Sequence, residues 1–162
     1  MSEYMIKEIT DNELVKAASV IREGFQTVAQ EFGLTVENCA TNGAFIKKER
    51  LIIDKAKGNY MYGLYKGDQM IGFMELEKKN NLQFEIEKIT ILPMYRNQGL
   101  GKNMIDYAKD CVKKAGGRKI IIGMIEENSK LRDWYERNGF IHLGTKKFDF
   151  LPFTVGYMEA YF

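Results

Sequence analysis

Seven consecutive residues, Arg96-Asn97-Gln98-Gly99-Leu100-Gly101-Lys102, have the composition of an anion site. They follow an apolar strand and Pro93 and run straight into a helical pattern. Glycine at 99 and 101 lets an oxyanion come close to the backbone amides. A helix opening at this point adds unpaired N–H groups and its dipole, and Arg96 and Lys102 add charge. The chemistry that matches is the holding of a phosphate or diphosphate. A Walker A loop is excluded, because Arg96 stands where its first glycine belongs and Asn103 where Ser or Thr would meet magnesium. A Rossmann fingerprint is excluded too, because Met104 occupies the place of its third glycine.

The strand that leads into this loop changes parity. Its apolar residues are even at first (Leu82, Phe84, Ile86) and then odd (Ile89, Ile91). Strand side chains alternate with period 2, so the switch at Glu87-Lys88 predicts one extra residue, a β-bulge. A bulge splays neighbouring strands and frees backbone groups, which an extended ligand arm could then pair with.

The elements that must hold these groups are legible by period. Residues 5–9 alternate as a strand. Thr10 and Glu13 form a capping box opening a helix with Leu14, Ala17, Ala18, Ile21, Phe25, Val28 and Phe32 on one face, and Gly33 closes it. A second, less regular helix is expected over 43–57. Strands are expected at 60–65, 70–77 and 82–92, with hairpin turns between them. A helix over 99–115 turns Leu100, Met104, Ala108, Cys111, Val112 and Ala115 inward. A strand at 118–124 precedes a short helix, capped by Asn128 or Ser129, that carries Leu131, Trp134 and Tyr135. Strands at 140–145 and 154–160 close the chain. The order βααβββαβαββ predicts one α/β domain over 1–162, a mixed sheet with helices on both faces.

Composition narrows the function. The chain has 162 residues, 45% hydrophobic and 28% charged, with a net charge of +2. That suits a folded domain and gives no argument for nucleic acid. No apolar run is long enough for a bilayer, and Met1 to Lys7 lack a charged-then-apolar leader. Cys39 and Cys111 have no metal-ligand spacing, so no metal is expected, and a cytoplasmic chain with reduced thiols is the expectation. The aromatic tail (Phe148, Phe150, Phe153, Tyr157, Tyr161, Phe162) suits the core, an acceptor pocket or a contact with a second copy of the chain.

Two stretches resemble the GNAT N-acetyltransferase superfamily. Leu92-Pro-Met-Tyr-Arg-Asn-Gln-Gly-Leu-Gly101 is similar to its acetyl-CoA signature, and Glu127 to Phe140 to its second motif. The resemblance implies a mostly antiparallel sheet with a central splay. It implies acetyl-CoA as co-substrate, gripped by the strand residues Ile89, Thr90 and Ile91, by the amides of Arg96, Asn97, Gln98, Gly99, Leu100, Gly101 and Lys102, and by Asn128. It also implies Tyr135 as the acid that protonates the leaving thiolate. The acceptor is then a primary amine of a small molecule, a peptide N-terminus or a lysine. Such an amine is mostly protonated at neutral pH, so a base is required. Glu85 and Glu87 are the candidates: a gapless count from Arg96 favours the first, and nearness to the thioester the second. No acyl-enzyme is needed, and His142, the only histidine, reads as structural or pocket-lining. The alternative from another class is a non-catalytic acyl-CoA-binding module on the same fold.

Overall fold

A computed structural model describes residues 3–162; the leader reading at Met1 and Ser2 lies outside them. Seven strands form one sheet in the order β1-β2-β3-β4-β5-β7-β6. In chain order these are β1 (Tyr4–Glu8), α1 (Leu14–Glu31), α2 (Lys48–Ala56), β2 (Tyr60–Lys66), β3 (Gln69–Lys78) and β4 (Gln83–Ile91). The chain continues with α3 (Leu100–Lys114), β5 (Lys119–Ile125), α4 (Ser129–Arg137), β6 (Ile141–Lys147) and β7 (Thr154–Tyr161). All neighbours pair antiparallel except β4 and β5, which are parallel.

The predicted order holds, and local signals set its limits. The Thr10 capping box forms, with the Thr10 amide donating to Glu13 Oε1 at 2.9 Å. Gly33 (φ 65°), Gly116 (φ 87°) and Gly139 (φ 90°) end helices in the left-handed region. Each is followed by an amide reaching back five residues: Leu34 to Ala29, Gly117 to Val112, Phe140 to Tyr135. The second helix is shorter than expected. A 3₁₀ turn at Gly43–Phe45 is capped by Asn42, whose side chain accepts from the Ala44 amide, and Ile46 and Lys47 are extended before α2 begins. The predicted inner face of α3 is corrected at Ala115, which is exposed beyond the helix end, and Ile105 is buried there as well.

The core lies on both sides of the sheet. Helix α1 packs on β3 and β4, with α2 beside it, and α3 packs on β4 and β5. Fully buried side chains such as Phe73, Met74 and Met104 fill the layers, each worth about 1.5–3 kcal/mol of transfer from water. Close approach of α1 to the sheet requires Gly24, where any Cβ would collide with the Thr90 side chain. No helix among the described residues is long and apolar enough to cross a membrane.

Candidate active site

The bulge is where the parity break predicts it. Phe73 of β3 pairs with Thr90 of β4, and Glu75 pairs with Glu87, so two steps on β3 face three on β4. Lys88 takes up the extra residue at φ 54°, a left-handed conformation that is strained for a side chain of this size. Ion pairs hold it there: Lys88 Nζ lies 2.8 Å from Asp54, 3.1 Å from Glu75 and 3.5 Å from Glu87. Past the bulge Thr90 is buried beneath α1 at Gly24.

The parallel pairing of β4 with β5 covers Gln83–Lys119, Phe84–Ile120 and Glu85–Ile121 and then stops. Beyond it the strands part around a cleft of about 820 Å³. Ile86 to Ile89 form one wall and Ile122 to Ile125 the other. Helices α1 and α2 contribute to the lining, and so do Asn128, Leu131 and Tyr135.

The anion loop is built from backbone. Asn97 (φ 63°) and Gly99 (φ 78°) are both left-handed, which turns successive amides the same way. No side chain caps α3, and the amides from Asn97 to Lys102 donate to no protein acceptor among the described residues. The two glycines have separate jobs. A Cβ at Gly99 would meet nothing within 4 Å, so glycine serves its backbone angle. A Cβ at Gly101 would lie 2.8 Å from the Trp134 ring, so glycine there lets α4 pack against α3.

Arg96 is placed differently from the other loop residues. Its amide donates to the Pro93 carbonyl at 3.2 Å. Its guanidinium donates to Ile91 O (2.8 Å), Thr27 Oγ1 (3.0 Å) and Gly24 O (2.7 Å), tying the loop to α1. The run of unpaired amides therefore starts at Asn97, and the charge of Arg96 braces the scaffold. Gln98 accepts from Tyr4 at 3.1 Å, Leu100 is buried in the core, and exposed Lys102 pairs with Asp106 at 2.7 Å. Of the three strand residues, Ile89 lines the cleft, whereas Ile91 packs on the core and lends its carbonyl to Arg96.

Tyr135 is 3% exposed and lines the cleft, with Trp134 and Phe140 edge-on at ring distances of 5.1 and 5.4 Å. Its hydroxyl has no hydrogen-bond partner among the described residues. Burial pushes its phenol well above the ordinary range, so it keeps its proton at neutral pH. Asn128 caps α4 through Oδ1, which accepts from the Leu131 amide at 3.2 Å. Glu85 and Glu87 both line the cleft. Burial raises the Glu85 carboxyl, with Glu87 nearby reinforcing it, and Lys79 at 3.4 Å opposes.

Beneath this pair lies a group that the reading of the sequence missed. Glu75 and Glu77 of β3 face Glu87 and Glu85 of β4 in register, and Asp54, Asn59 and Lys88 complete the cluster. Two oxygen sets, Asp54/Glu75/Glu87 and Glu77/Glu85/Glu87, each lie within 4.8 Å. The signal was available: two Glu-x-Glu pairs sit symmetrically about the β3–β4 turn. His142 is outside the cleft and bonds Glu126 at 2.8 Å; Arg132 holds the same carboxylate. Of the aromatic tail, Phe153 and Tyr157 line the cleft, while Phe150 is 69% exposed.

The fold is similar to that of acetyltransferases solved with coenzyme A. The PaiA N-acetyltransferase of Thermoplasma acidophilum, in complex with coenzyme A, superposes with a TM-score of 0.81 at 22% identity over 100% of both chains. A proposed streptothricin acetyltransferase of Bacillus anthracis, solved with acetyl coenzyme A, is 28% identical, with a TM-score of 0.59 over 64% of this chain and 62% of that one. The chain belongs to the acetyltransferase (GNAT) domain family, whose model matches residues 24–154. An uncharacterised N-acetyltransferase of Bacillus velezensis is 35% identical over 68 residues, which cover 36% of this chain and 42% of that relative.

Proposed function

We propose that the protein transfers an acetyl group from acetyl-CoA to a primary amine by direct attack in a ternary complex. The observation that carries this is the splay after the bulge, which opens a cleft lined by Glu87, Asn128 and Tyr135, together with the bare amides from Asn97 to Lys102 at the start of α3. The amides receive the pyrophosphate, and the pantetheine arm lies between β4 and β5, where each strand lacks its neighbour. The thioester then comes to rest near the bulge. Glu87, at the bulge itself, takes a proton from the incoming ammonium, and Glu85 lies two residues away to attract the cation. The amine attacks the carbonyl carbon, and the backbone amide after the bulge polarises the carbonyl oxygen. Tyr135 supplies the proton to the departing thiolate.

The test is thiol release from acetyl-CoA with a panel of small amines, amino acids, peptides and lysine-bearing proteins. At least one acceptor should raise release well above background hydrolysis. Stabilisation of the protein by acetyl-CoA with no acceptor in the panel would leave a binding module in place of an enzyme. No stabilisation at all would remove both.

A further inference from the structure

Acetyl transfer as described makes no use of Glu75. This side chain is 0% exposed in the middle of β3. Its Oε2 accepts from Asn59 Nδ2 at 2.7 Å and from Lys88 Nζ at 3.1 Å. Its Oε1 is buried with no hydrogen-bond partner. A buried oxygen left bare is costly, and such an atom calls for a proton or a donor. The cross-strand neighbour is Glu87, itself an acceptor, and their oxygens lie within 4.8 Å of one another. Two facing carboxylates at this range cannot both be comfortably ionised, so the pair favours holding one proton.

We propose that Glu75 and Glu87 share a single proton between Glu75 Oε1 and a Glu87 oxygen, and that Glu75 is the positioning residue that makes Glu87 a stronger base. The proposal rests on the acetyl-transfer reading for its purpose, though not for its geometry. Oε2 already serves two donors, so Oε1 is the oxygen left for the O–H. The charged groups around Glu75 are Glu87 and Lys88 from β4, Asp54 from α2 with Arg50 behind it, and Glu77 two residues along β3; Asn59 is the neutral donor. Burial, the largest influence, pushes Glu75 up to about 7; Lys88 and Asn59 oppose it, and Asp54 and Glu87 add to it.

The protons balance. Above its shared step the pair has lost its proton to water, and the acceptor ammonium gives it one proton. The free amine then forms the C–N bond and the C–S bond breaks. Tyr135 protonates the thiolate and recovers a proton from the new amide nitrogen. The pair afterwards releases its proton to water through partly exposed Glu87. The sum is ammonium plus thioester giving amide, thiol and one proton.

Carbon-13 NMR of labelled glutamate carboxyls in the full, ligand-free chain tests this. Glu75 and Glu87 should titrate together, with one step near neutral pH. In Glu75→Gln, which keeps an acceptor for Lys88 and Asn59, the step near neutral pH should vanish. Glu87→Gln should leave a single Glu75 step. A Glu75 that titrates in one low step, or is unmoved by Glu87→Gln, overturns the proposal. With an acceptor in hand, the rising limb of kcat/KM should lie near pH 7 and shift down in Glu75→Gln, with kcat at least tenfold lower, inside the range a positioned base supplies. A shared titration without acetyl transfer would keep the proton pair and reject the activity. Acetyl transfer without the shared titration would do the reverse.

Discussion

The loop that opens α3 and the bulge of β4 are built from opposite materials. From Asn97 to Lys102 the groups on offer are backbone amides, with Gly99 supplying the left-handed turn and Gly101 the close packing of α4. Under the bulge they are side chains: Glu75, Asp54 and Lys88, buried against one another. A backbone site survives most changes of side chain, because its donors belong to every residue. A buried ionic site depends on each member, because removing one strands the charge of another. The first end therefore suits a ligand of unvarying structure, and the second suits chemistry that must be tuned.

Substitutions can break this contrast at either end. Tyr135→Phe should lower kcat by about 10²–10⁴-fold while leaving stabilisation by acetyl-CoA unchanged; parallel loss of both would assign Tyr135 to packing alone. Lys88→Met should destabilise the fold by about 3–5 kcal/mol in urea titration, because Asp54 and Glu75 lose their shared cation. Arg96→Met should destabilise by about 1.5–3 kcal/mol through its lost bonds to α1, yet change acetyl-CoA affinity little. A large fall in affinity would return Arg96 to the ligand.

A smaller effect concerns pH. The folded value of Glu75, about 7, lies above its ordinary 4.5. Folding therefore favours the protonated form, and that contribution is complete below pH 4.5 and is lost as pH rises through about 7. Glu75→Gln should consequently gain about 1–2 kcal/mol over the parent between pH 6 and 9, read by thermal melts across that window. A constant difference between the two proteins would show that Glu75 has no raised folded value. Lys102→Ala should matter least, about 0.3–1 kcal/mol of anion affinity, since its ammonium is exposed and paired with Asp106.

The backbone end was the more legible in the sequence. Glycine spacing before α3 and the helix stop at Gly33 are local signals with local causes, and the structure repeats them; at the other end only the backbone event, the parity switch at Glu87-Lys88, was as plain. Partners across the chain were harder to read. Nothing near Gly101 in sequence points to Trp134, and nothing near Arg96 points to Gly24. Glu75 was hidden for another reason. Alternating charges on a hairpin ordinarily face water, and only α2, laid over that face with Asp54, turns this group into an interior one. The break in the second helix escaped because it depends on Asn42 and on Gly43 packing against Phe25.

The three parallel rungs between β4 and β5 have a mechanical meaning as well. They tack a four-stranded ribbon to a three-stranded one at a single end, like a zipper closed for its first few teeth. Under the proposed function, an extended ligand laid in the open length would supply the missing teeth. Occupancy and stiffness then rise together, and slowed amide exchange along the far half of β5 becomes a gauge of how fully the seam is closed.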